Sequence, residues 1–416
     1  MLVKSLSLTA AASTLLPGAA AFFKMPIKNP VTVERSDPIV SPMTYSAHVH
    51  TVAGGSNFHP NATYDDLRAS ECTSAQAAED KSNYWVPQLY VEWANGTFTA
   101  VPQDGYGLMY YLFRQNDKDK TKLTAFPPGF KMVTGDPTAR TYNLKGNMKD
   151  AIGWNCLGSP EPTRVEGSGF PKDKYCSGNL RGEIRFPRRG SHVAYSSGES
   201  GECPSTHKVR LPTLFYEIQY YVQAIEPFRH LTKNPSQPFL LANGDATGFG
   251  WHGDFMNGWP EDLLQKALDT CLSPTSGSIE ECEVLELSDV ECRRTPLWNE
   301  YTTTENLDSL PGCNEITKTA AAAKKQMSQC KEPAPKKLAK TPTAYTGKAP
   351  PPGTPVLKGE PTAVISAMGY RYFGCYADGL GSRIFAKQLT TSAKTIAACF
   401  SAAKKGGWTY AGLEYG

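Results

Sequence analysis

Short β-prone runs, separated by turn residues at roughly ten-residue intervals, dominate the chain from residue 22 to about 313. The clearest runs span residues 106–113, 130–133, 209–218 and 239–242. Glycine, proline, asparagine and aspartate fill the intervals between them. Because runs this short do not alternate with long helical segments, they favour antiparallel pairing over parallel β-α-β units. The sequence therefore predicts a mainly β domain, an antiparallel β-sandwich or jelly roll with few short helices.

Two segments of this region have helical patterns, at residues 64–70 and 261–271. In the second, Asp262 stands in the first turn, where an acidic side chain is favourable. Leu264 and Leu268 are four residues apart, so they lie on one face of a helix. We predict a short helix at each position.

The N-terminus has the pattern of a secretory signal peptide over residues 1–21. Lys4 precedes a short apolar run, and Pro17-Gly18 then leads to the small residues Ala19-Ala20-Ala21. The apolar run is too short to cross a bilayer, and no later stretch approaches about 20 apolar residues. We therefore expect a secreted, extracellular protein that begins near Phe22 and has no transmembrane segment.

Cysteine usage agrees with an oxidising compartment. The chain has 11 cysteines, and in a secreted protein disulfides are their usual state. The odd number leaves at least one thiol without an intrachain partner, and spacing does not reveal the pairing. The sequons at Asn61 and Asn95 predict two glycosylated surface loops. The predicted disulfide cysteines are Cys72, Cys156, Cys176, Cys203, Cys271, Cys282, Cys292, Cys313, Cys375 and Cys399.

Composition changes after residue 316. Residues 317–368 are rich in proline, lysine and alanine, which predicts an extended linker with one short helix before Cys330. Many lysines of the chain fall in this stretch, and the net charge is only +3. A balance this close to neutral argues against nucleic acid as a partner.

The last block, residues 369–416, resembles a WSC module, a small cysteine-dependent fold of fungal wall proteins. The resemblance rests on Tyr-Phe-Gly-Cys-Tyr-Ala-Asp at 372–378, on Arg383 and Cys399, and on Tyr-Ala-Gly-Leu-Glu-Tyr-Gly at 410–416. Ala403 stands where the family has a further cysteine, so the module is partial. The resemblance implies binding to wall polysaccharide of the β-glucan or xylan type.

The large domain, residues 22–316, resembles DUF1996, a family of secreted fungal proteins of unknown function. Several blocks match in order along the chain. They are 37–42 (Asp-Pro-Ile-Val-Ser-Pro), 48–50 (His-Val-His), 80–87 (Asp-Lys-Ser-Asn-Tyr-Trp-Val-Pro), 126–130 (Phe-Pro-Pro-Gly-Phe), 191–195 (Ser-His-Val-Ala-Tyr), 244–248 (Gly-Asp-Ala-Thr-Gly) and 252–255 (His-Gly-Asp-Phe). The resemblance implies secretion but no particular activity.

Four of the seven histidines stand in polar, glycine-rich or aromatic surroundings: His48, His50, His192 and His252. On a strand, the first two share one face, about 6.5–7 Å apart along the backbone. Such a pair suits a Zn or Cu ion, with His192, His252, Asp245 or Asp254 completing the ligand set. The alternative is that these imidazoles only form hydrogen bonds within a groove.

Catalysis on carbohydrate is a second hypothesis. Asp245, Asp254, Asp80 and Asp136 all lie in loops with glycine or aromatic neighbours, and paired carboxyl groups are the acid and base of glycoside hydrolysis. A lyase would instead use His192 or His252 as the base and Tyr195 as the acid. Loop aspartates are also common turn formers, so the spacing alone selects no pair.

The 44 aromatic residues allow two roles. Trp85 and Trp251 have polar neighbours, which suits either contact with sugar rings or burial in a sandwich core. The leading hypothesis is a wall-associated polysaccharide-binding protein with a groove formed by the four histidines and Asp254, flanked by Trp85, Trp251 and Tyr195. One alternative is a polysaccharide-active enzyme, which would be a metal-dependent oxidative enzyme, a hydrolase or a lyase. Another is a structural wall glycoprotein without a site.

Overall fold

The structure is a computed structural model with side chains, and it describes most of the large domain. The described residues are 22–113, 121–142, 151–158, 169–187, 189–190, 194–195, 205–271, 276–303, 307–312, 314–329, 334–338, 342–346, 366–367, 370–371 and 396–407. The predicted signal peptide therefore lies outside them, as does most of the predicted C-terminal module.

Strands far outnumber helices among these residues. The strands are β1 (Phe22–Ile27), β2 (Thr32–Ser36), β3 (Tyr45–Gly54), β4 (Asn83–Pro87), β5 (Leu89–Glu92), β6 (Phe98–Ala100), β7 (Gln103–Leu112), β8 (Lys131–Gly135), β9 (Ile152–Leu157), β10 (Asn179–Arg185), β11 (Arg189–Gly190), β12 (Ala194–Tyr195), β13 (Val209–Arg210), β14 (Thr213–Tyr220), β15 (Phe239–Leu241), β16 (His252–Met256), β17 (Cys292–Arg294), β18 (Trp298–Asn299), β19 (Lys336–Lys337), β20 (Ala344–Thr346), β21 (Ser366–Ala367) and β22 (Tyr370–Arg371). The α-helices are α1 (Tyr64–Arg68), α2 (Glu261–Thr270), α3 (Ala320–Gln329) and α4 (Ile396–Lys405), and short 3-10 helices span Val222–Ala224, Glu226–Leu231 and Ile279–Glu281.

Two five-stranded antiparallel sheets form the body of the domain. Sheet 1 has the order β1-β7-β14-β10-β9, and sheet 2 has the order β2-β3-β4-β16-β8. Smaller sheets, β15-β5-β6 among them, join the edges. The predicted mainly β, antiparallel fold with few helices is confirmed, and each predicted β-prone run overlaps a strand of the structure. The predicted helices at 64–70 and 261–271 are α1 and α2.

Apolar and aromatic side chains from both sheets fill the space between them. Tyr84 of β4 contacts Tyr216 of β14, with ring centroids 5.8 Å apart. At Gly253 of β16, a Cβ atom would lie 2.5 Å from Ile184 Cδ1 of β10. A side chain at this position would require Ile184 to shift within the packed core. The large domain is thus a sandwich with one shared core.

Two segments on either side of β3, residues 37–44 and 55–70, cover part of the outer face of sheet 2. At one end of this face, Phe58 and Leu67 pack on Trp85 in a small apolar cluster. Helix α1 carries Leu67, and Thr63 caps its N-terminus in a reciprocal arrangement with Asp66. The other end of the same face carries polar side chains, which form the site described below.

Three disulfides fall within the described residues: Cys72–Cys292, Cys156–Cys176 and Cys271–Cys282. The first joins the connection between α1 and β4 to β17, across 220 residues. The structure does not describe the side chains of four other predicted cysteines: Cys203, Cys313, Cys375 and Cys399. No helix in the described part of the chain is long and apolar enough to cross a membrane.

Candidate metal centre

Three histidines meet on the outer face of sheet 2. His48 and His50 alternate on β3, so both side chains leave the same face of the strand. His252 begins β16, and β4 lies between the two histidine-bearing strands. Residues 204 positions apart in the chain are therefore brought together by the order of strands in the sheet.

The imidazole rings are in direct contact. The ring centroids of His48 and His50 are 4.5 Å apart, and those of His48 and His252 are 5.0 Å apart. The Nε2 atoms of His48 and His252 are separated by 3.1 Å. One ring nitrogen from each histidine lies within 4.8 Å of the other two. All three residues are buried.

Backbone carbonyls orient two of the rings. His252 Nδ1 lies 2.9 Å from the carbonyl oxygen of Gly250, and His50 Nδ1 lies 3.2 Å from that of Ser36. A carbonyl only accepts, so each Nδ1 carries the proton and each Nε2 keeps its lone pair. His50 Nε2 is buried without a hydrogen-bond partner among the described residues. Both rings therefore keep an Nε2 lone pair, and the Nε2 atom of His252 lies 3.1 Å from that of His48.

Burial keeps the cluster neutral. Desolvation lowers the pKa of His50 and of His252 to about 4. It also holds the pKa of His48 well below its ordinary value, with the neighbouring His50 and His252 adding to the effect. Neutral imidazole is the form that binds metal ions.

The arrangement fits a zinc or copper ion. Zn–N bonds are about 2.0–2.1 Å long, so two nitrogens that share a tetrahedral ion are about 3.3 Å apart. The 3.1 Å separation of the Nε2 atoms of His48 and His252 is close to this distance, and one ring nitrogen of His50 lies within 4.8 Å of both other histidines. Metal-bound histidines usually donate their second ring N–H to a carbonyl or carboxylate, as His50 and His252 do here. The three imidazoles, and the backbone carbonyls that orient two of them, suit a transition-metal site.

Two buried carboxyl groups lie beside the histidines. Asp254 follows His252 by two positions on β16, on the same face, and neither of its carboxyl oxygens has a hydrogen-bond partner among the described residues. Burial raises its pKa well above the ordinary value, and the charge of Asp37 raises it further. Burial also raises the pKa of Asp37, although the N–H groups of Val40 and Ile39 oppose the shift.

The other predicted site residues lie elsewhere. Asp245 accepts hydrogen bonds from Thr247 and Gly250 in a turn, 3.8 Å from Arg140 Nε. Trp251 is fully buried in the core between the sheets, where its ring packs 4.7 Å from that of Trp154. Asp245 therefore stabilises a turn, and Trp251 packs in the core. Both are structural alternatives that the sequence left open for these residues.

Trp85 is also fully buried, but it lies on the same sheet face as the cluster, opposite Asp254 in the register of β4 and β16. Asp80 is buried beside Tyr84, and Asp136 accepts hydrogen bonds from Thr138 in a turn. His192 lies outside the described residues, and so does the side chain of Tyr195. Asn61 and Asn95 are both exposed, as glycosylation would require.

Sequence reasoning missed two residues that shape the site. Asp37 ends the β2 segment, where its carboxylate accepts the N–H groups of Ile39 and Val40. Ser36 supplies the carbonyl that orients His50. The signal for Asp37 was present in the Asp-Pro block at 37–42, which favours a turn after a strand. The role of Ser36 depends on strand register, for which the sequence has no local signal.

Comparison with known proteins identifies the family and nothing beyond it. The model of the domain of unknown function DUF1996 matches residues 37–259, which is more than half of the chain and includes all three histidines. Neither a curated protein nor a solved structure matches the chain. The chain belongs to the DUF1996 family.

Proposed function

We propose that this protein is a metal-dependent enzyme in which His48, His50 and His252 hold one zinc or copper ion. The observation that carries the proposal is the convergence of the three rings, two of which hold Nδ1 against a backbone carbonyl and so keep the Nε2 lone pair for an ion. A buried group of imidazoles that only stabilised the fold would be expected to pair its ring nitrogens. Here His50 Nε2 and His48 Nδ1 have no partner among the described residues.

Three protein ligands favour catalysis over a purely structural role. Structural zinc sites have four protein ligands, whereas catalytic sites have three and leave a position for water or substrate. In the described part of the chain, no cysteine or carboxylate joins the three-histidine group. A bound ion would supply Lewis acidity at that open position.

The neighbouring carboxyl groups suit proton transfer. Asp254 and Asp37 are both buried, and the charge of Asp37 acts on both His252 and Asp254. A carboxyl group that lacks a fixed hydrogen-bond partner can accept or donate a proton at a bound substrate. We assign this role to Asp254, because both of its oxygens are unpartnered.

Wall polysaccharide of the β-glucan or xylan type is the proposed substrate, and the fungal cell wall or extracellular space is the proposed location. The supports are the signal-peptide pattern of residues 1–21 and the resemblance of residues 369–416 to a WSC module. Binding of polysaccharide by that module would hold the large domain at its substrate.

The test is metal content by elemental mass spectrometry. We expect the purified full chain to retain near-stoichiometric zinc or copper after dialysis, and to regain it after chelation and re-addition. The double variant His50→Ala/His252→Ala should lose the ion. The matched control is His230→Ala, because His230 is exposed and does not belong to the three-histidine group; it should keep the ion.

Thermal unfolding separates loss of the site from loss of the fold. A ligand that binds only the native state stabilises it, so chelation should lower the unfolding temperature of the wild-type chain, and added metal should restore it. The double variant should unfold cooperatively without responding to either treatment. A wild-type chain that takes up neither zinc nor copper would refute the proposal without reference to any variant.

A further inference from the structure

A cleft of about 360 Å³ lies next to the histidine cluster, at the edge of sheet 2. One wall is the segment that contains β2, and the other is formed by residues 293–303 together with Tyr345. This volume falls within the range of small-ligand sites, about 300–1,000 Å³. None of the residues proposed for the metal centre lines the cleft.

The lining combines aromatic rings with paired charges. Trp298, Tyr301 and Tyr345 supply the rings. Glu34 is paired with Arg294 in a buried ion pair, and both oxygens of Glu300 lie 2.8 Å from guanidinium nitrogens of Arg35. Because the charges compensate each other, the cleft suits a neutral ligand with many hydroxyl groups better than a phosphate or a carboxylate.

One buried donor in the lining lacks a partner. Arg294 is 3% exposed, and its Nε–H has no hydrogen-bond acceptor among the described residues. The other guanidinium nitrogens of Arg294 bind Glu34 and the carbonyl of Thr295. An unsatisfied buried donor is costly, and a ligand hydroxyl in the cleft would provide the missing acceptor.

The cleft and the metal centre share residues of one strand. Glu34 lies directly opposite His50 in the register of β2 and β3. Ser36 joins the two sites more closely, because its carbonyl accepts from His50 while its hydroxyl bonds Glu34 and accepts from Trp298 Nε1 at 3.0 Å. A chain-like ligand bound in the cleft would therefore lie beside the cluster.

We propose that this cleft binds a neutral oligosaccharide segment and positions a polysaccharide next to the three-histidine centre. The proposal deepens the proposed function and rests on it for the role of the bound sugar. The rings of Tyr301 and Tyr345 pack against the apolar faces of sugar rings, and the ion pairs at the base receive the hydroxyl groups.

The test is isothermal titration calorimetry on the full chain with short β-glucan and xylan oligosaccharides, and with an oligogalacturonide of similar length as the charged comparison. We expect binding of at least one neutral oligosaccharide and none of the uronate. Tyr301→Ala and Tyr345→Ala should each weaken the affinity about tenfold or more. Tyr175→Ala is the matched control, because Tyr175 is 58% exposed and does not line the cleft; its affinity should be unchanged.

Metal content measured on the same samples separates the two proposals. The two cleft variants should keep the metal content and unfolding temperature of the wild type. Oligosaccharide binding by a chain that takes up no metal would support the cleft proposal and refute the metal centre. Preference for the uronate, wild-type affinity in both cleft variants, or absence of binding to every neutral oligosaccharide at millimolar concentration would each overturn the cleft proposal.

Discussion

Asp80 shows how the core of this protein tolerates an ionisable side chain. It is fully buried, accepts a hydrogen bond from the N–H of Ser82 at 2.9 Å, and accepts another from the hydroxyl of Tyr84. Tyr84 in turn lies 2.8 Å from the hydroxyl of Tyr111, which accepts from Trp259. Burial raises the pKa of Asp80 to about 6, although these hydrogen bonds oppose the shift.

We predict that Asp80→Asn flattens the pH dependence of stability between about pH 4 and 6. The folded-state pKa is above the unfolded one, so in this range the native state binds more protons, and stability falls as pH rises. Two pKa units correspond to about 3 kcal/mol. Urea unfolding at a series of pH values should show the wild-type chain losing up to this amount relative to the variant. Parallel profiles of stability against pH for the two chains would contradict a raised pKa of Asp80 in the folded state.

At the residue scale, the sequence predicted part of the site. The His-x-His spacing placed His48 and His50 on one face, and His252 was among the candidates to join them. Asp254 was also named, and it lies on the same face as His252. The sequence could not show that Trp251 and Asp245 have structural roles. A tryptophan next to a histidine has the same local sequence pattern in a core as in a groove, and so does an aspartate in a glycine-rich turn.

The strand β8 positions His252 through a glycine. Gly135 pairs with His252 across β8 and β16 and has a φ of +99°. A Cβ atom at this position would lie 2.4 Å from the carbonyl oxygen of Trp251 and 2.7 Å from the Cα of His252. Only glycine combines this backbone conformation with so close an approach.

We predict that Gly135→Ala destabilises the domain by about 3 kcal/mol or more and lowers its metal content. Gly96→Ala is the matched control, because Gly96 also has a positive φ, +86°, but has open space around its Cα. That variant should cost only about 1 kcal/mol and keep its metal. Urea unfolding and elemental analysis measure the two effects. Equal losses of stability and of metal in both variants would show that the close approach of Gly135 to His252 affects neither the fold nor the metal site.

Local sequence patterns predicted the secondary structure, but they did not predict which strands pair with each other. The β-prone runs and the two helical segments are where the sequence placed them. The placement of β4 between β3 and β16 depends on contacts between residues far apart in the chain, and turn residues carry no information about them. For this reason the sequence suggested four histidines for one groove without deciding which strands are neighbours.

At the scale of the molecule, the site depends on the whole sandwich. Sheet 2 takes its first strands from residues 32–54 and its later ones from residues 131–135 and 252–256, so the cluster forms only when distant segments have paired. The disulfide Cys72–Cys292 and the ion pair of Glu34 with Arg294 link the N-terminal strands to the end of the domain. The ion pair also joins the two walls of the cleft.

X-ray absorption spectroscopy on the metal-loaded full chain tests the central claim most directly, because it counts the ligands of the bound ion. We predict a spectrum with three imidazole nitrogens at about 2.0–2.1 Å and one further light atom. In His50→Ala, the imidazole contribution should fall or the ion should be lost. Sulfur ligands, a shell of oxygens alone, or a spectrum unchanged in His50→Ala would contradict a centre formed by His48, His50 and His252.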